Sequence, residues 1–239
     1  MADLLRILNI GNTHVQVIES SGPESFIPAG VFPADAFEPC REVQFLPDIA
    51  VSSVIPALTA EFRKMGAFVV SGTMELPFSP SELDLSTVGA DRIANAAALL
   101  NGCLPALSID FGTAITFEFV TANRQFAGGA ILPGRMLLRQ ALHDHTAQLP
   151  LVPLSDTFPA LPGKNTVDAI RIGTDRAAAG AVHELICQWR EMCAPANLRV
   201  IACGGDRKFF LNHIEGMKDG GDYFTIRGIR KLWELYHEG

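Results

Sequence analysis

The chain has 239 residues, 48% hydrophobic and 19% charged, with a formal net charge of −7. This is a soluble globular composition with enough apolar material for two modest domains or one large one. The acidic balance, without a Lys/Arg stripe, argues against nucleic acid or an anionic membrane as partner, while leaving a phosphate ligand open, since backbone N–H groups and bound cations can hold one.

Five cysteines occur, an odd number with no C-x-x-C pair, which disfavours zinc and a disulfide framework. Several lie in apolar runs, where reduced, buried thiols are expected. No apolar stretch is long enough to span a bilayer. Met1-Ala2-Asp3-Leu4-Leu5-Arg6 lacks the layout of a signal peptide, so a cytoplasmic location is expected.

Residues 4–20 read as a hairpin: Leu4–Leu8, a turn at Asn9-Ile10-Gly11-Asn12-Thr13, and a return through His14-Val15-Gln16-Val17-Ile18. Residues 22–47 carry Pro23, Pro28, Pro33, Pro39 and Pro47 and read as irregular structure with one short strand. Asp48–Val54 is a buried strand. Pro56 opens a helix to about Met65, Gly66 ends it, and Ala67–Val70 is the next strand. That order implies a parallel crossover. After a loop at 72–88, Gly89–Leu100 is an Ala-rich helix closed by Gly102 and Pro105.

The second half repeats the opening. Pro105–Ile109 is apolar, Asp110-Phe111-Gly112-Thr113 is a turn, and Ala114–Val120 returns as a strand. Both turns share polar-x-Gly-polar between apolar flanks. One copy alone is an ordinary β-hairpin. Two copies in matching context indicate two similar domains, 1–105 and 106–239, each offering a phosphate-facing turn to one cleft. Gln125–Leu132 reads as a strand, Pro133-Gly134 leads a helix to about Asp144, and the proline-rich stretch at 146–164 is a loop. A long helix follows from Val167 to Arg190, capped by Asn165 or Thr166. Leu198–Cys203 is a strand ended by Gly204-Gly205-Asp206. A short helix, a short strand at Tyr223–Ile226 and a terminal helix from Gly228 complete the chain.

Ordered along the chain are Ile10-Gly11-Asn12-Thr13, Ser53-Val54-Ile55-Pro56, Gly89-Ala90-Asp91-Arg92 with Asn95, Asp110-Phe111-Gly112-Thr113-Ala114-Ile115-Thr116, Gly128-Gly129-Ala130-Ile131-Leu132-Pro133-Gly134, Thr146-Ala147-Gln148-Leu149-Pro150, Asn165-Thr166 with Gly173, and Gly204-Gly205-Asp206. Each is weak alone. As an ordered set they resemble the type III pantothenate kinases of the acetate-kinase/Hsp70/actin superfamily.

The resemblance implies an α/β fold of two duplicated ribonuclease-H-like domains around a central cleft, and a homodimer with pantothenate near the subunit interface. It implies phosphoryl transfer from ATP to pantothenate, giving 4′-phosphopantothenate, the first step toward coenzyme A. Mg²⁺ with ATP and a monovalent cation, K⁺ or NH₄⁺, are implied cofactors. Asp91 matches the general base. Gly89, Ala90, Arg92 and Thr166 match substrate-binding positions, Thr166 serving the neighbouring subunit. Asn9, Ile10, Gly11, Asn12, Thr13, His14, Val15, Gln16 and Thr113 match the ATP site, and Asp110 the monovalent-cation ligand.

Each residue also has a plainer reading. Asp91 could serve only the helix dipole, Asp110 a strand-end turn, and Thr166 the helix cap. His143 and His145 read as solvated polar residues. Two departures from the family pattern bear on activity. Asn9 stands where the family has aspartate, keeping an acceptor oxygen but losing the charge. Residues 81–88 lack the aromatic and proline that usually precede Gly-x-Asp-Arg; Phe78 and Pro80 lie further upstream. A catalytically weak homologue like the Bvg accessory factor proteins, or a kinase for another small hydroxylated substrate, are the alternatives.

Overall fold

The structure, a computed structural model, describes residues 4–42 and 48–238. Met1–Asp3, residues 43–47 of the proline-bearing stretch and the Cys40 side chain lie outside the described residues. The chain divides into two compact units. One comprises Met1–Leu104, Glu118–Gly128 and Tyr223–Gly239; the other Pro105–Phe117 and Gly129–Asp222.

In the first unit the strands are β1 (Leu5–Ile10), β2 (His14–Gly22), β3 (Ser25–Pro33), β4 (Asp48–Ser53) and β5 (Phe68–Val69), in sheet order β3-β2-β1-β4-β5. β1, β2 and β3 form an antiparallel meander, while β1, β4 and β5 run parallel. Helices α1 (Pro39–Glu42), α2 (Pro56–Lys64) and α3 (Ala90–Leu99) follow in the chain. Leu8, Ile10, Val15, Val17 and Val51 on one sheet face pack with Phe37 and Phe62 of the following segments. A short strand, Ser79–Pro80, is β6.

The second unit holds β7 (Ala106–Phe111), the start of β8 (Ala114–Val120), β10 (Ile131–Pro133), α4 (Arg135–Asp144), α5 (Thr166–Cys193), β11 (Arg199–Cys203), α6 (Arg207–Leu211) and β12 (Lys218–Asp219). Its strand order, β10-β8-β7-β11-β12, has the pattern of the first sheet, antiparallel at β10–β8 and parallel at β7–β11–β12. The end of β8 and β9 (Gln125–Phe126) lie in the first unit, where β9 pairs β6 in parallel. The C-terminal helix α7 (Phe224–Glu238) also belongs there.

The duplication extends to individual backbone bonds. Gly11 N donates to His14 O at 2.9 Å, as Gly112 N does to Ala114 O at 3.1 Å. Ala34 N bonds Thr13 O at 3.0 Å, and Gly134 N bonds Thr113 O at 2.9 Å. Val54 N bonds Ile10 O at 3.1 Å, and Asp206 N bonds Phe111 O at 2.9 Å. Each hairpin turn is closed on itself, over three residues at Gly11 and over two at Gly112, and the ties to the two following segments match.

Four expectations are corrected. Residues 25–33 form a full nine-residue strand, not an irregular segment. β3 is an edge strand, where Pro28 and Pro33 need not donate to a further neighbour. Gln125–Leu132 is two short strands, broken where Gly128 adopts φ +90°. Tyr223–Ile226 is not a strand: α7 starts at Phe224 and runs through Gly228. A Cβ at Gly228 would collide with the Ala94 carbonyl, so this glycine lets α7 lie against α3 instead of starting a helix. Of the described cysteines only Cys203 is buried; Cys103 is exposed, and Cys187 and Cys193 are half-exposed on α5.

Candidate active site

In the first unit the turn at Gly11–Thr13 follows the C-terminal end of β1, and Val54 follows β4 beside it. Val54 also adjoins the start of α3: a Cβ built on Gly89 would lie 3.8 Å from Val54 Cγ1 and 2.6 Å from Asp91 Oδ1. Glycine at 89 therefore makes room for the Asp91 carboxylate. Val54 is the common neighbour of the first turn and the Gly89–Arg92 segment. Asn12, Thr13 and His14 are exposed, Asn9 and Gln16 half-buried, and Ile10 and Val15 belong to the core. The last two contribute backbone alone to any ligand.

Asp91 is in the first turn of α3 and is half-buried. Burial pushes its carboxyl above the ordinary range, against the lowering effects of the Arg92 N–H, 2.8 Å from Oδ1, and of the Arg92 charge. A carboxylate held this way is a better proton acceptor than a solvated one. The Arg92 Nε donates to Glu118 Oε1 at 3.1 Å, and Glu118 is 0% exposed. The other Glu118 oxygen receives Asn95 Nδ2 at 3.5 Å, and Asn95 Oδ1 accepts from Thr225 Oγ1 of α7 at 2.7 Å. Glu118, the buried partner of Arg92 and Asn95, is a position that the motifs miss. Its signal in the sequence was an acid inside the apolar run Ala114–Val120, flanked by Phe117 and Phe119.

Before α3, Asp84 caps a short turn at Leu85–Thr87, accepting from Ser86 N at 3.0 Å and Ser86 Oγ at 2.6 Å. Those bonds hold its carboxyl below the usual range. Phe78 is buried edge-on against Phe126, with ring centroids 5.5 Å apart. It is core, and does not stand in for the aromatic residue missing from 81–88.

In the second unit Asp110 is the penultimate residue of β7, half-buried, and Gly112 and Thr113 are exposed. Gly204, at φ +87°, abuts this turn: a Cβ there would run into the Asp110 carboxylate and lie 2.6 Å from Phe111 N. A Cβ at Gly134 would strike Gly112 O. Two glycines thus cradle the Asp110–Thr113 turn.

Behind it lies a buried ion network. Arg135 donates from Nε and Nη2 to both oxygens of Asp206, at 2.8 and 2.6 Å, and from Nη1 to Asp175 Oδ1 at 3.1 Å. Arg139 Nη2 donates to the same Asp175 oxygen at 2.6 Å. Burial alone would lower the Arg135 guanidinium; its bonds to Asp206 and Asp175 outweigh that and raise it. Arg139, with less compensation, is lowered by burial.

Asn165 is the cap of α5: its Oδ1 accepts from Asp168 N at 2.8 Å, and its Nδ2 donates to Asp168 Oδ2 at 2.8 Å. Thr166 is exposed and its hydroxyl is not the cap. His143 is exposed, with Nδ1 2.9 Å from Leu149 O, and His145 ends α4. No helix among the described residues is long and apolar enough to cross a membrane.

The donor types suit the implied cations. Asn9 Oδ1 is a buried acceptor without a hydrogen-bond partner, and Asp110 brings a carboxylate to the turn that carries Thr113; both are hard oxygen ligands of the kind that Mg²⁺ and K⁺ take.

Solved structures share the architecture. A Campylobacter jejuni protein named as a Baf family transcriptional activator aligns with TM-score 0.68 at 17% identity, covering 98% of this chain and 100% of that one. A ROK family glucokinase from Streptomyces griseus, in complex with glucose and AMPPNP, aligns with TM-score 0.54 at 11% identity over 99% and 100%. At these identities the likeness is one of fold. The chain has the α/β fold of the actin-like ATPases and sugar kinases, with two ribonuclease-H-like domains.

The type III pantothenate kinase profile matches residues 30–188. Relatives carrying that name include proteins from Rubrobacter xylanophilus, 36% identical over 197 residues, 77% of this chain and 75% of that protein, and Geotalea daltonii, 33% over 199 residues, 80% and 77%. A third, from Methylacidiphilum infernorum, is 31% identical over 215 residues, 87% and 79%. The chain belongs to the type III pantothenate kinase family.

Proposed function

We propose that the protein transfers the γ-phosphoryl group of ATP to pantothenate, giving 4′-phosphopantothenate at the entry to coenzyme A synthesis. The observation that carries this reading is Asp91, a half-buried carboxylate with a raised pKa beside an arginine fixed by Glu118. Asp91 accepts the proton of the attacking hydroxyl. Arg92, the Gly89–Ala90 backbone and Thr166 bind pantothenate, with Thr166 acting across a homodimer. Residues 9–16 and Thr113 hold ATP, and Asp110 binds K⁺ or NH₄⁺. Mg²⁺, bound with ATP, offsets the charge that spreads over the transferred group.

Homodimer formation draws support from the large apolar side chains that the second unit leaves exposed, Ile131, Leu137, Leu151, Leu161 and Val167. The domains are taken as 1–105 and 106–239, and the location as cytoplasmic. Purified protein given ATP, Mg²⁺ and K⁺ should release ADP only when pantothenate is added. Loss of that dependence refutes the assignment.

The second reading, a catalytically weak homologue, is favoured by Asn9. ATP binding without turnover would establish it. Turnover with another small alcohol in place of pantothenate would point to a kinase of different substrate.

A further inference from the structure

Of three side-chain polar atoms in the first unit that are buried without a hydrogen-bond partner, Arg6 Nε, Asn9 Oδ1 and Ser52 Oγ, the last two belong to residues side by side in the sheet. Asn9 Oδ1 and Ser52 Oγ are both orphaned, and Asn9 and Ser52 are Cα partners in the parallel β1–β4 ladder. Asn9 is also the partner of Gln16 on β2. Direct partners project from the same face of a sheet, so Gln16, Asn9 and Ser52 form one polar row. The row beneath is Ile18, Ile7 and Ala50, all fully or nearly fully buried. It offers no polar group to either orphan.

Ser52 itself is 0% exposed. Its neighbour Ser53 behaves differently: that hydroxyl donates to Ile55 O and accepts from Ile55 N, closing the turn after β4. Ser52 has no such task. Buried hydroxyls and amide oxygens are almost always paired, so two adjacent exceptions call for a partner that binds from outside. The row also lies at the carboxyl ends of β1 and β4, where open α/β sheets bind ligands.

The chemistry of the orphans selects the partner. The Asn9 atom is an oxygen and can only accept. A phosphate oxygen cannot satisfy it, whereas a water polarised by a cation can. Mg²⁺ keeps several of its waters when it binds nucleotide, and those waters are strong donors.

Resting on the kinase reading above, we propose that Ser52 is a metal-positioning residue: its hydroxyl and the Asn9 amide oxygen together accept hydrogen bonds from the water shell of the nucleotide's Mg²⁺. Asn9 lacks the charge of an aspartate, which the family resemblance implies at this position, and Ser52 supplies a second neutral acceptor on the adjoining strand. The protein then holds the hydrated ion by two hydrogen bonds instead of by a carboxylate.

Calorimetric titration with the non-hydrolysable triphosphate AMPPNP, with and without Mg²⁺, tests this apart from turnover. In the unaltered protein Mg²⁺ should tighten AMPPNP binding. Ser52→Ala should cut that gain by fivefold or more while leaving metal-free affinity unchanged, and its melting temperature without ligand should hold or rise, since an unpaired hydroxyl is removed. Ser52→Cys, near in size and a poor acceptor, should show the same loss and carries the test if the alanine variant does not fold. An unchanged Mg²⁺ gain in either variant, or no gain in the unaltered protein, overturns the proposal. Failure of the unaltered protein to bind AMPPNP under any condition would instead remove the kinase reading, and this proposal with it.

Discussion

Arg92 Nε lies 3.1 Å from Glu118 Oε1, and the carboxylate it meets is sealed from solvent. An arginine side chain has several rotatable bonds, and its disorder would cost a substrate dearly in binding. Glu118 removes much of that freedom in advance. It also couples α3 to α7 through Asn95 and Thr225. Glu118→Gln keeps the shape but loses the charge. The pantothenate KM of that variant should rise about tenfold, roughly 1.4 kcal/mol, with kcat changed by less than about threefold and the ATP KM unmoved. Equal loss in kcat and in both KM values would mean that Glu118 serves the fold and not Arg92.

Asp91→Asn should lower turnover by about 10²–10⁴-fold, the usual contribution of a general base, yet make the protein more stable at neutral pH. Burial raises the folded-state pKa of Asp91 above its unfolded value. The folded state therefore holds this proton more tightly. The stabilisation that follows is complete below the unfolded pKa, about 3.9, and is lost as pH rises through the folded value. At pH 7 the native protein carries the cost of a partly desolvated charge, which asparagine does not. Melting curves should show the variant ahead at pH 7, with the advantage shrinking toward pH 4. In the unaltered enzyme the acid limb of kcat/KM should sit above the ordinary carboxylate range.

The network behind the Asp110 turn gives an ordered pair of stability effects. Asp175 is fully buried and one of its oxygens serves both Arg135 and Arg139, whereas Asp206 is 18% exposed and serves Arg135 alone. Removing one partner of a buried pair costs about 3–5 kcal/mol, because the other charge stays behind unpaired. Asp175→Asn strands two guanidiniums and should lose more stability in urea than Asp206→Asn. Asp206 adjoins the Gly204–Gly205 loop that cradles Asp110, so, with Asp110 as the proposed cation ligand, its variant should lose any K⁺ dependence of turnover while losing less stability than Asp175→Asn. The reverse order of urea midpoints would show that Arg139 is satisfied by the Val152 and Pro153 carbonyls and Thr174 alone.

What could be read ahead of the structure were features written in local spacing. The two hairpins are legible because Gly11 and Gly112 break apolar runs at matching positions, and two pairs of backbone bonds to later segments repeat that match. Helix α5 is legible from its length and from Asn165. The failures share a cause: the deciding partner is distant in sequence. β3 tolerates prolines because it is an edge, which no residue within it announces. Gly228 reads as a breaker until Ala94 is seen against it. Glu118 lies 26 residues from Arg92 and belongs to no motif, so only its improbable place among phenylalanines hints at a buried cation. Ser52 looks like one more strand serine until its hydroxyl is found without a partner.

Asn9→Asp tests the position where the family resemblance implies an aspartate. Aspartate restores a charged acceptor for the nucleotide's hydrated Mg²⁺, and turnover should rise at least tenfold, about 1.4 kcal/mol of transition-state stabilisation. The same change should harm the empty protein. Asn9 Oδ1 already lacks a partner, and a carboxylate in its place would be a partly buried charge with none. The melting temperature without ligand should therefore fall, and saturating Mg²⁺ with AMPPNP should restore it by more than in the unaltered protein, since ligand that binds only the folded state stabilises in proportion to its affinity. Ser52→Ala in the Asn9→Asp background should then cost less of the Mg²⁺ gain than it does alone, because a carboxylate leaves the hydroxyl less to do. Equal costs in both backgrounds would mean that the two residues act independently, and that the asparagine is a tolerated substitution with no compensation on β4.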